Sequence, residues 1–216
     1  MRWFPQAVLA LVVALGGACS ETGGGGQAAG STTTAAAGAG APARRVVESK
    51  ADGFSVEIPT GWKDILLDTA TLNRVLVEAG EGKLDQAVAN QVRTLAGRGG
   101  RLLAYDDAKR TTNLQVLKFP SSPGVTTEQL VKDLPAQLQQ AGLANVTVEM
   151  VTTAGGPAAK ATGVQAVEGG GGKQLLQLQY WVVSGPSTFA AVLGTDDPPR
   201  DQATLEAIGQ TFKLLQ

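Results

Sequence analysis

The sequence predicts an α+β domain in which an antiparallel β-sheet is flanked by helices. Three observations carry that expectation. Four strand-length segments follow one another in the last third of the chain, separated only by glycine-rich breaks. One of these segments is apolar on both of its faces. Elsewhere, apolar residues recur at the three- and four-residue spacing of amphipathic helices.

The four segments are 145–153, 158–167, 174–184 and 188–193, broken at Gly155-Gly156-Pro157, at Gly169 to Gly172 and at Gly185-Pro186. A tight turn reverses the chain, whereas a parallel partner needs a long crossover, so an antiparallel meander is the expected topology. In 174–184, Leu176, Leu178, Tyr180 and Val182 alternate with Leu175, Gln177, Gln179, Trp181 and Val183. Successive side chains point to opposite faces, so this strand needs cover on both sides, and helices are the available cover.

In chain order, structure is expected to begin near Val46. Phe54, Val56 and Ile58 alternate with Ser55 and Glu57, and Pro59 and Gly61 end that strand just before Trp62. A short helix is expected over 69–79. Across 83–97, Leu84, Ala87, Val88, Val92 and Leu95 form an apolar stripe, with Gln86, Asn90, Gln91 and Arg93 assigned to the polar side. Segments 101–105 and 113–119 read as a hairpin around the charged turn Asp106 to Arg110. Thr126 and Gln129 have capping-box spacing ahead of a helix marked by Leu130, Leu134, Leu138 and Ala141, in which Pro135 predicts a kink or restart. A closing helix from about Pro199 carries Leu205, Ile208, Phe212 and Leu215, with Asp196 or Asp197 as cap and Pro198-Pro199 at its opening.

The N-terminus reads differently. Met1 and Arg2 give a short positive start, and the apolar run Ala7 to Leu15 leads through Gly16, Gly17 and Ala18 to Cys19. This is the layout of a secretory signal, and the run falls well short of the ~20 residues that span a bilayer as a helix. Small residues directly before a cysteine resemble the bacterial lipobox, although Leu15 stands four residues before Cys19 where the pattern prefers three. The resemblance implies that residues 1–19 are a lipoprotein signal and that Cys19 is the lipid attachment point. Cleavage without lipidation, leaving a free thiol, is the competing reading. Residues 20–45 are the expected disordered linker, because Gly, Ala, Ser and Thr bury too little apolar surface to offset ordering entropy. As a coil it spans about 25–30 Å. Residues 46–216 are then one domain, tethered at the outer face of the bacterial cytoplasmic membrane.

Composition excludes several functions. The formal net charge is −1 over 216 residues, which gives no field to gather nucleic acid. Histidine is absent, removing the usual neutral-pH proton shuttle and the commonest metal ligand. The lone cysteine forms neither an internal disulfide nor a zinc site. No metal and no cofactor is expected.

The run Asp52-Gly53-Phe54-Ser55-Val56-Glu57-Ile58-Pro59-Thr60-Gly61-Trp62, followed by the middle helix, the glycine-broken strands and the closing helix, resembles the LpqN/LpqT-type actinobacterial lipoproteins. More broadly it resembles the PsbP-like α/β/α sandwich, over about Val46 to Gln216. The resemblance implies a non-enzymatic accessory or binding role in the cell envelope and brings no catalytic motif.

The remaining constellations read as structure. Gly80-Glu81-Gly82-Lys83 lacks the first glycine and the Ser or Thr of a phosphate loop, and Gly97-Arg98-Gly99-Gly100 precedes a strand instead of following one. Asp106-Asp107 and Asp196-Asp197 belong to no calcium loop and read as solvated turn or helix cap. Without histidine no Ser-His-Asp triad can form, so an enzyme would have to be an atypical Ser/Lys or carboxylate hydrolase. Trp62, Tyr180 and Trp181 are the candidate binding residues, since aromatics give large contact area at low entropic cost. Core packing is the competing role for Trp62 and Tyr180, while Trp181 lies on the more polar face of its strand. The expected function is an anchored binding or accessory module with an unidentified protein or envelope ligand. A carrier of lipid or another apolar small molecule is the alternative.

Overall fold

The meander expected from the glycine breaks is present, and it supplies four of the seven strands of a larger sheet among the described residues. The computed structural model describes residues 42–82, 85–167 and 172–215. The signal peptide, Cys19, nearly all of the linker, Lys83, Leu84 and the glycines 169–171 lie outside the described residues.

Four strands make the meander: β6 (Leu143–Thr153), β7 (Gly156–Ala166), β8 (Gln174–Ser184) and β9 (Ser187–Thr195). Ahead of them come β1 (Arg44–Ser49), β2 (Phe54–Pro59), β3 (Trp62–Leu66), β4 (Gly100–Asp106) and β5 (Asn113–Pro120). The helices are α1 (Thr69–Gly80), α2 (Gln86–Gly97), α3 (Thr127–Gln140) and α4 (Pro198–Gln210), and β10 (Lys213–Leu214) closes the chain. Among the described residues, seven strands form one antiparallel sheet in the order β3-β4-β5-β9-β8-β7-β6. The β5–β9 pairing joins the first hairpin to the meander, so β8 and β9 sit well inside the sheet.

Both faces are covered, as the two-sided apolar strand requires. On one face α1, α2 and α3 enclose Leu103, Leu117, Phe119, Leu175, Trp181 and Val192 with Val88, Val92, Leu134 and Leu138. On the other, α4 and a small sheet of order β1-β2-β10 enclose Leu102, Leu114, Leu178, Tyr180 and Leu193 with Phe54, Ile58 and Phe212. The fold is therefore α+β, with a central antiparallel sheet between a helical layer and a mixed layer.

Several local expectations change in context. β1 begins at Arg44, two residues ahead of the expected onset, because Val47 and Ser49 bury against the core while Val46 and Glu48 face solvent. β3 begins at Trp62 itself and pairs with β4 along its whole length. α3 runs unbroken through Pro135, since Leu134 and Leu138 hold the turns on either side against the sheet. Its cap is half the expected box: Thr126 accepts from the Gln129 backbone N–H at 3.3 Å, but the Gln129 amide turns to Asp133 instead of back to the cap. Gln91, assigned to the solvated side of α2, is only 1% exposed. The closing helix stops at Gln210, so Phe212 and Leu215 are not helical. Thr211 donates to the Ile208 carbonyl at 2.7 Å and accepts from the Glu57 N–H at 2.9 Å, turning the chain so that β10 can pair with β2. Asp197 is the N-cap residue of α4 but makes no side-chain cap, because its carboxylate goes to Lys109 at 2.8 Å.

Gly209 fixes how closely α4 approaches the sheet. A Cβ there would lie 2.0 Å from Cε2 of Tyr180, in the body of a buried ring that cannot swing away. Alanine in a helix interior gains about 1 kcal/mol over glycine, whereas overpacking costs about 1–3 kcal/mol, so the clash wins. Gly209→Ala is expected to lower stability by up to about 2 kcal/mol net, measured by denaturant unfolding. An unchanged or raised midpoint would show that α4 can shift off Tyr180.

Candidate functional site

The sheet face beneath α1–α3 is polar where a core should be apolar. Cross-strand registers place Asn113 of β5 opposite Gly194 of β9, which faces Gln177 of β8. In the next row Gln115 faces Val192, which faces Gln179. Directly paired residues share a face, so these four amides form a strip across three strands, and all four are buried. α2 packs mainly on β4, and α3 mainly on β6, β7 and β8.

Burying an amide without a hydrogen bond costs about 1–3 kcal/mol in proteins, so the partners matter. Trp181 Nε1 donates to Gln179 Oε1 at 3.0 Å, and Gln179 Nε2 donates to Gln177 Oε1 at 2.9 Å. Gln177 Nε2 then donates to Gln165 Oε1 on β7. On β5, Gln115 Nε2 donates to Asn113 Oδ1 at 3.2 Å, and Asn113 Nδ2 to the Thr111 carbonyl at 3.1 Å. Two ladders thus run along the strands, each handing a hydrogen bond to the residue two positions on.

The ladders do not satisfy everything. Gln115 Oε1 has no partner, and on α2 neither the Oε1 nor the Nε2 of Gln91 has one. Gln137 Oε1 on α3 is a further buried orphan. These atoms are three carbonyl acceptors and one amide donor group, and none carries a charge.

At the strip's outer end the chain forms an open groove of about 450 Å³ lined by Lys109, Thr111, Lys173, Gln174, Asp196 and Asp197. Three of its charged side chains are tied down: Thr111 donates to Asp196 at 2.7 Å and Lys109 bridges to Asp197. Nearby, Asp201 is buried and accepts from Thr112 and Thr195, both at 2.8 Å, and from Arg200. Burial alone would raise its pKa, but the bonds from Arg200, Thr112 and Thr195 outweigh it and hold the carboxyl below its usual range. Smaller open grooves of about 260 and 430 Å³ lie beside β2 and around Gly53. All three are rimmed by charged side chains, unlike the closed apolar pocket that a lipid carrier needs.

The sheet separates the three aromatic candidates. Trp62, 8% exposed, and Tyr180, 1% exposed, belong to the core beneath α4. Tyr180 packs on Gly209, and burial, reinforced by Glu206 and Glu149, pushes its phenol well above the ordinary range. Trp181 lies on the opposite face, 4% exposed, stacked on Phe119 at 6.1 Å and bonded into the amide strip. Gln177, Gln179, Gln115 and Asn113 were not singled out from sequence, although their alternation with leucine and valine was the available signal. Gln91 gave none, because a glutamine beside an apolar stripe ordinarily faces water. Two half-buried lysines serve packing: Lys118 donates to the Asp52 carbonyl and lies over Phe189, and Lys160 pairs with Glu149 and Glu206. Among the described residues no group of acidic, His or Cys side chains could hold a metal ion.

No protein-family model and no curated protein matches the chain. Among solved structures it is similar to cyanobacterial PsbP (CyanoP) from Synechocystis sp. PCC 6803, at 13% identity and a TM-score of 0.49 over 84% of this chain and 98% of that one. It is also similar to the Ran-binding protein Mog1p of Saccharomyces cerevisiae, at 7% identity and a TM-score of 0.47, over 81% and 97% of the two chains. A third likeness, to a protein of Bacteroides thetaiotaomicron VPI-5482, has 12% identity and a TM-score of 0.44; it covers 76% of this chain and 45% of that one. Likeness at this level assigns no function.

Two measurements probe the site. Replacing Gln179 by methionine keeps volume but removes its hydrogen bonds with Trp181 Nε1 and Gln177 Oε1, so a loss of about 1–3 kcal/mol is expected. In a double-mutant cycle with Trp181→Phe the two losses should fall short of additive by at least about 0.5 kcal/mol; strict additivity would mean the ladder bond contributes nothing. For Asp201, a depressed folded pKa means that its stabilisation is present above the unfolded aspartate value of about 3.9 and is lost as pH falls through the lower folded value. Asp201→Asn should therefore cost about 1–3 kcal/mol at neutral pH, with the gap from wild type closing in acid. A gap independent of pH would refute the assignment.

Proposed function

We propose that the chain is an exported bacterial lipoprotein of the LpqN/LpqT type, acylated at Cys19, whose domain works as a non-enzymatic binding module at the outer face of the cytoplasmic membrane. The signal layout and the Gly/Ala-rich linker support the anchor. Two acyl chains make such an anchor stable, since each buried CH₂ contributes about 0.8 kcal/mol.

One observation supports binding over packing: an amide strip with unpaired atoms is buried beneath the helical layer, where leucine and valine would give a more stable core. The strip's residues Asn113, Gln115, Gln177 and Gln179 neither titrate near neutral pH nor act as nucleophiles. Their chemistry is recognition by hydrogen bonding, with the Trp181 indole holding the ladder in place.

Protein recovered from its own membranes tests both halves by intact and native mass spectrometry. The expected mass is that of residues 19–216 plus lipid, and Cys19→Ser should release the protein from the membrane fraction. A bare thiol or a retained leader would sink the anchor. Turnover of a substrate that survives Gln179→Met would sink the binding reading.

A further inference from the structure

We infer that the free edge of β6 pairs with the same strand of a second copy of this chain, antiparallel and about a twofold axis through Met150. The two end strands of the large sheet are β3 and β6, and they meet solvent differently. β3 is five residues long and charged, with Lys63 bridged to Asp107 and Asp64 to Arg45. Arg45 also donates to the Trp62 carbonyl at 2.9 Å, tying β3 to the small sheet. Short, charged edges of this kind resist the addition of another strand. β6 is eleven residues long and, among the described residues, pairs with β7 alone. From Thr147 to Thr153 it holds no proline, no lysine and a single charge, Glu149. Thr147 and Glu149 are exposed on the face toward α4, and Met150 and Thr152 on the face toward α3, so solvent reaches the strand from both sides of the sheet.

The register selects a second copy as the occupant. The bulge between Ala144 and Thr147, with Asn145 at φ +54°, and the turn after Thr153 bound the regular stretch, whose midpoint is Met150. Directly paired residues share a face of the sheet, so a twofold axis between two β6 strands must pass through a residue. Through Glu149 it would set like charges face to face, which is destabilising. Through Met150 it keeps the whole stretch paired. Thr147 then meets Thr153 of the second copy, Val148 meets Thr152, and Glu149 meets Val151, while its charge stays with Lys160 of its own chain at 3.5 Å. Met150, 43% exposed in the single chain, meets its own copy at the centre. Threonine and valine fill five of the seven positions, the β-branched residues that such a seam favours.

The mature full chain carrying Cys19→Ser, and therefore no lipid, tests this in solution. Sedimentation equilibrium is expected to show a monomer–dimer equilibrium in the micromolar range, since a one-strand seam lies at the small end of interface sizes. Cys19 is the only cysteine, so Met150→Cys on that background carries one thiol. Residue 150 should face its own copy at a Cα separation of about 4.5–5.5 Å, within disulfide reach, and oxidation should link the dimer. Glu149→Cys, two positions out of register with its copy, should link at least about tenfold more slowly. Met150→Lys places two cations face to face at an exposed position and should leave a monomer with unchanged circular dichroism. A chain that stays monomeric up to millimolar concentration, a dimer that survives Met150→Lys, or equal linking through Glu149→Cys would overturn the inference. If Met150→Lys misfolds, the two cysteine variants decide. The pairing uses neither the amide strip nor the acyl anchor, so its failure and theirs are separable.

Discussion

The fold depends on one constraint: strand β8 is buried on both faces. With Leu176, Leu178, Tyr180 and Val182 on one side and Leu175, Trp181 and Val183 on the other, no two-layer arrangement could keep it from water. Each remaining element supplies cover or continuity. The β5–β9 pairing buries the meander's other edge, α3 closes the first face over β6–β8, and α4 with the small sheet closes the second. The demand for close cover explains Gly209, where the α4 backbone must reach the Tyr180 ring. It also explains why β10 leaves the helix early, placing Phe212 beside Phe54 at 6.1 Å between ring centres.

Within that apolar frame the amide strip is an exception, and its position is informative. Buried polar groups are retained at a cost in stability, and interiors that keep them do so with nearly complete hydrogen bonding. Here the ladders on β5 and β8 are largely complete along the strands, while the orphans lie where helix faces sheet, at Gln91 and Gln115. The buried carboxylate of Asp201 makes a contrast: fully bonded by Thr112, Thr195 and Arg200, it locks the start of α4 to the sheet and has no valence to spare for a ligand.

Element type was legible wherever periodicity was long. The meander strands, the hairpin, α2 and the capped start of α3 follow from alternation, helical spacing and turn residues. What escaped were short elements whose existence depends on a distant partner. β1 needs β2, β3 needs β4, and the two residues of β10 have no pattern at all. Phe212 and Leu215 continue the helical spacing of α4 by coincidence, and only the chance to pair with Phe54 and Ser55 ends the helix first. Pro135 was misleading in the opposite sense, because burial of Leu134 and Leu138 outweighs the lost backbone bond.

By itself the sequence determined the class of fold, the antiparallel meander and the two-sided burial of β8, because these follow from alternation and turn chemistry within a few residues. It also sets the N-terminal signal pattern on which the anchoring proposal rests. Tertiary structure alone decided that Trp181 and Tyr180, neighbours in the chain, serve opposite cores. It decided too that glutamines from β5, β8 and α2 share one buried layer. Side-chain alternation puts residues on a face, but which face is covered, and by what, is fixed only when strands 60 residues apart such as β5 and β8 are brought together around β9.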